Sequence, residues 1–168
     1  MTDLIMLNKR VDLADAIDDV VKLPFNDRQK ARARVSADSG QFYGIKLPRG
    51  TVLRGGDILQ SPCGRSVEIQ AAAETTSRVT SDDPWQLARI AYHLGNRHVW
   101  VEVGRQQLSY LHDHVLDDMV RQLGSTITVV EAPFEPEAGA YAEHHHDSHN
   151  HEDKSDPSDG PAKATLPA

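Results

Sequence analysis

Imidazole groups crowd the end of this chain of 168 residues. Five of its nine histidines, His144, His145, His146, His149 and His151, fall within eight positions, beside Asp147, Glu152 and Asp153. Imidazole nitrogens mixed with carboxylates suit borderline divalent ions: Ni(II), Zn(II), Cu(II) and Co(II). Flexible spacing lets several ions bind in exchangeable coordination, the property that delivery needs. The run is interrupted and 17 residues follow it, unlike an unbroken terminal purification tag. Such a stretch does not by itself select nickel, because copper competes better at most nitrogen donors.

Other histidines stand in the body of the chain. His98 lies three residues past Gly95, at the mouth of an expected strand, VWVEV (99–103). Alternation puts Val99, Val101 and Val103 on one face of that strand and His98, Trp100 and Glu102 on the other. A lone histidine there is ordinarily a partly exposed surface residue. In a homodimer, however, a residue near the two-fold axis supplies two ligands at once. In His112-Asp113-His114, imidazoles at i and i+2 project to one side of an extended backbone, and Asp113 ligates or orients one of them. Asp113 fits equally well as the N-cap of a helix. His93 lies off the apolar stripe of its helix and reads as structural or solvent-exposed. Cys63, the single cysteine, forms no intrachain disulfide and suits a reducing cytoplasm; in the turn SPCG it reads as a passive turn residue.

Several function classes are disfavoured. There is no HExxH, no cysteine pair for structural zinc, no GxSxG and no glycine-rich phosphate loop. A metal-dependent hydrolase using His98, His112 and Asp113 around an open water position lacks an evident general base. The formal net charge of −7 opposes binding to a phosphate backbone. No apolar run approaches the roughly 18–20 residues of a membrane span. The N-terminal MTDLIMLNKRVDLADAIDD carries acids where a signal peptide carries a basic region. The expectation is a cytoplasmic protein that is not an enzyme and binds neither nucleic acid nor membrane.

The elements that must position these groups follow from punctuation and periodicity. Aromatic residues are only 5% of the chain, so the core is mostly aliphatic. Residues 1–73 read as an all-β sandwich or barrel, with turns at Pro24, Ser39-Gly40, Pro48-Arg49-Gly50, Gly55-Gly56-Asp57 and Pro62-Cys63-Gly64. Strands are expected in FYGIKL (42–47), TVL (51–53) and SVEIQA (66–71). In RQKARARV the basic residues Arg28, Lys30, Arg32 and Arg34 alternate along one strand face, either solvated or a docking patch for an acidic partner. Residues 74–142 change rhythm. ETTSRVTS (74–81) is a strand, and Asp83-Pro84 starts a helix whose stripe is Leu87, Ile90, Ala91 and Leu94, with Gly95 as its left-handed stop. After VWVEV come the strand QLSYL (107–111), a helix with Leu116, Met119, Val120 and Leu123 that ends at Gly124, and the strand STITVVE (125–131). The order βαββαβ is ferredoxin-like, so the fold class is α+β. Residues 143–168 hold six acids against two lysines, leaving a net −3 for the residues before them. Poor in large apolar residues, they read as a disordered His-rich tail.

The chain resembles the family of the urease accessory protein UreE, a nickel metallochaperone. LPRGTVLRGGDIL (47–59), AYHLGNRHVWVEV (91–103), HDHVLDDMVRQLG (112–124) and APFEPEAGAY (132–141) carry the resemblance, which runs from about Leu23 to Tyr141 plus the His-rich tail. It implies an N-terminal β domain that docks partner proteins and a ferredoxin-like domain through which two chains form a homodimer. It implies that His98, the last residue of GNRH, binds Ni(II) at the dimer interface and that His112 and His114 are peripheral ligands. It also implies that His144, His145, His146, His149 and His151 bind further nickel. The implied partners are a GTPase accessory protein and, through it, the urease apoenzyme.

Together these readings give a half-filled, exposed site of two His98 side chains, completed in turn by His112, His114 or the tail. Zn(II) and Cu(II) are the expected competitors. Imidazole must be neutral to ligate, so loading should weaken as pH falls through the histidine range near 6.5. The alternatives are a general store or buffer for divalent ions, and a peptide-binding module in which the histidines are incidental.

Overall fold

Alternating aliphatic residues between glycine turns build the first half of the chain. The structure is a computed structural model that describes residues 4–139. By its internal contacts the chain divides into residues 1–137 and residues 138–168, and the helices and strands of the described residues lie in the first unit. The first strands are β1 (Ile5–Leu7), β2 (Lys9–Val11) and β3 (Asp19–Leu23), followed by the short helix α1 (Phe25–Arg28). Then come β4 (Arg32–Ser36), β5 (Phe42–Lys46), β6 (Ile58–Gln60) and β7 (Ser66–Ala71). They form one sheet ordered β1-β5-β4 and another ordered β2-β6-β7-β3. Both are mixed, because β1 runs parallel to β5 and β3 parallel to β7. Leu7, Val21, Leu23, Tyr43, Ile45, Val67 and Ile69 share one buried cluster, as the period of two along each strand requires.

The expected β-rich first domain is present, with two local corrections. Residues 51–53 form no strand. Nor does Arg28 share an alternating strand face with Arg32 and Arg34: it closes α1 and is fully buried. Pro24 precedes α1 and accepts from Asp27 N and Arg28 N, so the backbone coils there before β4 begins.

The second half contains β8 (Ala73–Thr80), α2 (Pro84–Gly95), β9 (Glu102–Val103), β10 (Gln107–Leu111), α3 (His114–Gln122) and β11 (Thr128–Pro133). The sheet order β11-β8-β10-β9, with all pairs antiparallel, is the ferredoxin-like arrangement expected from βαββαβ. Asp83 accepts from Trp85 N at 2.9 Å and caps α2, while Pro84 supplies a backbone already set for the first turn. Leu87, Ile90 and Leu94 of α2 are buried with Val79, Leu108, Tyr110 and Val120. Burying each leucine contributes about 1.5–3 kcal/mol. α3 ends at Gly124, whose φ of 90° is the left-handed conformation that glycine adopts without steric cost.

The two cores are joined by a polar seam. Arg28 donates from Nε to Leu23 O at 3.2 Å and from Nη1 to Leu53 O at 3.2 Å. It also donates to Glu135 Oε1 at 2.9 Å and, from Nη2, to Phe134 O. Arg54 adds a bond to Pro136 O at 2.5 Å, and Gly55 N donates to Glu135 Oε1 at 2.8 Å. A Cβ on Gly55 would lie 2.9 Å from that oxygen, so a larger residue there would push the Glu135 carboxylate aside. Phe25 meets Trp100 and Phe134 edge-on, with ring centroids 5.2 Å and 5.6 Å apart.

Candidate metal centre

His98 is placed by the way α2 ends. His98 N bonds to Gly95 O at 2.9 Å, and Val99 N returns to Leu94 O at 3.2 Å. These are the paired bonds of a Schellman turn, which needs one left-handed residue. That residue is His98, with φ 55°, and not Gly95 as expected. Val99 packs with Leu94 in the core, the apolar contact that accompanies such a turn. The imidazole itself is exposed, and it makes no hydrogen bond to another described residue.

The turn also shortens the strand expected at 99–103, so that only Glu102–Val103 pair with β10. Val99 and Val101 still face the core, whereas Val103 is half exposed. Across from them, Glu102 accepts from Glu135 N at 2.9 Å and Trp100 meets Phe25, so this face adjoins the seam.

His112, Asp113 and His114 fall where β10 gives way to α3. Asp113 Oδ1 accepts from Val115 N at 2.8 Å and Leu116 N at 3.1 Å. It is the N-cap of α3, and those two donors hold its carboxyl below the usual carboxylate range. His112 is partly exposed, and its Nδ1 lies 3.0 Å from Ser77 Oγ and 3.3 Å from Asp117 Oδ2. His114, on the first turn of α3, lines a depression of about 440 Å³ with Arg97, Val115, Asp118, Met119 and Gln122. Arg97 thus brings the residue next to His98 to the same depression as His114.

Asp117 is a buried acid beside His112 that sequence reasoning missed. Only 1% exposed, it accepts from Tyr110 Oη at 2.8 Å as well as facing His112. Burial first, then the Asp117 hydrogen bond, push the Tyr110 phenol well above its ordinary range. An acid inside a helical apolar stripe, between Leu116 and Val120, was the available signal.

His93 is half-buried, and its ring meets Tyr92 edge-on at 5.5 Å. Cys63 is exposed in its turn, where the Ser61 hydroxyl at 3.1 Å and then Arg65 hold the thiol below its ordinary value. His144, His145, His146, His149 and His151 lie outside the described residues. Among the described residues of one chain, no group of three His, Cys, Asp or Glu converges on a point. What one chain offers is a set of separate, outward-facing imidazoles with borderline donor character. Among the described residues no helix is long and apolar enough to cross a membrane.

Known proteins share this pattern along almost the whole chain. Residues 5–72 match the family pattern described as UreE urease accessory protein, N-terminal domain, and residues 74–158 match its C-terminal domain. A urease accessory protein UreE from Alkalilimnicola ehrlichii is 49% identical over 138 residues, covering 82% of this chain and 85% of the relative. One from Enterobacter sp. is 48% identical over 144 residues, covering 85% and 95%. One from Pseudomonas putida is 49% identical over 139 residues, covering 82% and 86%.

Proposed function

The chain belongs to the family of the urease accessory protein UreE, accessory chaperones and not enzymes, and from that premise we propose that it carries Ni(II) to the urease active site during assembly. Two chains form a homodimer that brings two His98 side chains to one ion. His112 and His114 take up the ion at the periphery, and His144, His145, His146, His149 and His151 bind further ions. Nickel passes onward to the GTPase accessory protein of the urease assembly machinery, in the cytoplasm.

The observation that carries this reading is the exposed imidazole of His98 at a left-handed position. Non-glycine residues hold such a conformation at a cost of about 1–2 kcal/mol, so a histidine there needs a reason other than the backbone. An exposed ligand pair leaves coordination positions open, and an ion held that way leaves by ligand exchange. Zn(II) and Cu(II) compete for the same nitrogens.

The test is a calorimetric nickel titration at neutral pH of the full chain, of a chain shortened to end at Ala142, and of each with His98→Ala. One tight ion per dimer that survives shortening and vanishes with His98→Ala is the expected result. Tight binding that disappears on shortening and ignores His98→Ala would make the tail the working site and overturn the assignment of His98.

A further inference from the structure

The neighbours of His112 decide which of its nitrogens is free. Asp117 is buried, and its two carboxylate oxygens face Tyr110 and His112 as acceptors. The Tyr110 hydroxyl donates to Asp117 Oδ1 at 2.8 Å. Register places Ser77 directly opposite Tyr110 across β8 and β10. The Ser77 hydroxyl lies 3.0 Å from His112 Nδ1, where it accepts as readily as it donates. Asp117 Oδ2, 3.3 Å from the same nitrogen, is also an acceptor. The carboxylate therefore calls for a hydrogen on Nδ1, and the serine accommodates it by accepting.

We infer that Asp117 is a positioning residue which, with Ser77 and Tyr110, locks His112 as the Nδ1–H tautomer and turns Nε2 outward as its one metal-binding atom. The inference rests on the proposed role of His112 as a nickel ligand. It separates His112 from the other candidates. The backbone of His112 is tied to β8 through its N–H to Thr75 O at 3.0 Å, and its ring faces a buried carboxylate at 3.3 Å. No hydrogen bond from the His98 or His114 ring to another described residue plays that part. A carboxylate behind a ligating imidazole fixes ring orientation and raises ligand basicity, and its removal ordinarily weakens metal binding 10–100-fold.

The substitution Asp117→Asn tests this by reversing one hydrogen bond. Tyr110 continues to donate to the side-chain oxygen, so the amide NH₂ faces His112 and donates to Nδ1. The measurement is a long-range ¹⁵N–¹H correlation spectrum of the full, metal-free chain at pH 8, with His112 identified through His112→Gln. The expected wild-type signal is the Nδ1–H form, changing to Nε2–H in Asp117→Asn and unchanged in Ser77→Ala, where the carboxylate still accepts. Added Ni(II) should then broaden the His112 ring signals at a concentration at least about 10-fold higher in Asp117→Asn than in wild type. An Nε2–H wild type overturns the inference, whether or not Asp117→Asn folds. So does an Nδ1–H signal that persists in folded Asp117→Asn. Nickel that leaves the wild-type His112 signals sharp overturns instead the assignment of His112 as a ligand, and the tautomer then has no bearing on nickel.

Discussion

Arg28 and His98 sit at opposite extremes of polar accounting. Arg28 is sealed from solvent, and its guanidinium meets three carbonyls and a carboxylate drawn from both domains. His98 is exposed, with its ring bonded to no other described residue, on a backbone conformation that glycine would adopt more readily. A buried charge is tolerable when it is paired and hydrogen-bonded, as Arg28 is through four bonds, so the seam is built for permanence. An unmatched exposed imidazole suits a bond that must form and break. Permanence and exchange are thus allotted to separate regions, and changes at one should be readable without the other.

The strongest way to break that separation is Arg28→Ala, which leaves Glu135 and the Phe134 carbonyl short of a partner. It should destabilise the fold by about 3–5 kcal/mol, measured by urea unfolding. Under conditions where the variant is still folded, the number of nickel ions bound should not change. A loss below about 1 kcal/mol would mean that the seam relaxes around the vacancy and is not the fixed region described.

Asp83→Ala probes the helix that ends at His98 from its other end. Loss of the capping bond to Trp85 N should cost about 1 kcal/mol while nickel affinity at His98 stays within twofold. A large affinity loss would show that the exchanging region depends on the whole of α2. His98→Gly should abolish the tight site yet leave stability unchanged or raised by up to about 1 kcal/mol. A clear loss of stability would mean that the imidazole itself holds the turn.

The smallest effect belongs to Asp19, which ties the two sheets of the first domain together. Burial raises its carboxyl, but hydrogen bonds from Ser39 Oγ, Val20 N, Ser39 N and the Tyr43 hydroxyl outweigh that and leave it below its ordinary value. A lowered folded-state pKa adds stability above the unfolded value near 3.9, and that contribution is lost as pH falls through the folded one. The difference in melting temperature between wild type and Asp19→Asn should therefore shrink as pH drops from 5 towards 3. A constant difference would remove the linkage.

How much of this was legible depends on whether the information is local. α2 and α3 were readable because cap and stripe lie within one helix: Asp83 with Leu87, Ile90 and Leu94, and Asp113 with Leu116 and Val120. The order of the second sheet followed from the alternation of elements. The parallel pairings β1–β5 and β3–β7 were not readable, because nothing local tells a strand which distant neighbour it will join. Arg28 was misplaced because alternating basic residues resemble a solvated strand, and its partners Phe134 and Glu135 stand 106 and 107 residues away. Gly95 drew the left-handed position by propensity alone, whereas the return bond from Val99 N to Leu94 O placed that position at His98. The exposure of His98 matched the reading of its surroundings. The triad of Ser77, Tyr110 and Asp117 needed the cross-strand register.

The reach of Arg28 also bears on synthesis. Its acceptors at Leu23 and Leu53 leave the ribosome early, but Phe134 and Glu135 follow 106 and 107 residues behind it. During elongation the nascent N-terminal domain holds an arginine whose burial is not yet compensated, so its last consolidation waits for the end of the second domain. A pulse of protease on ribosome-bound chains should find the segment around α1 cleavable until Glu135 has emerged and resistant afterwards.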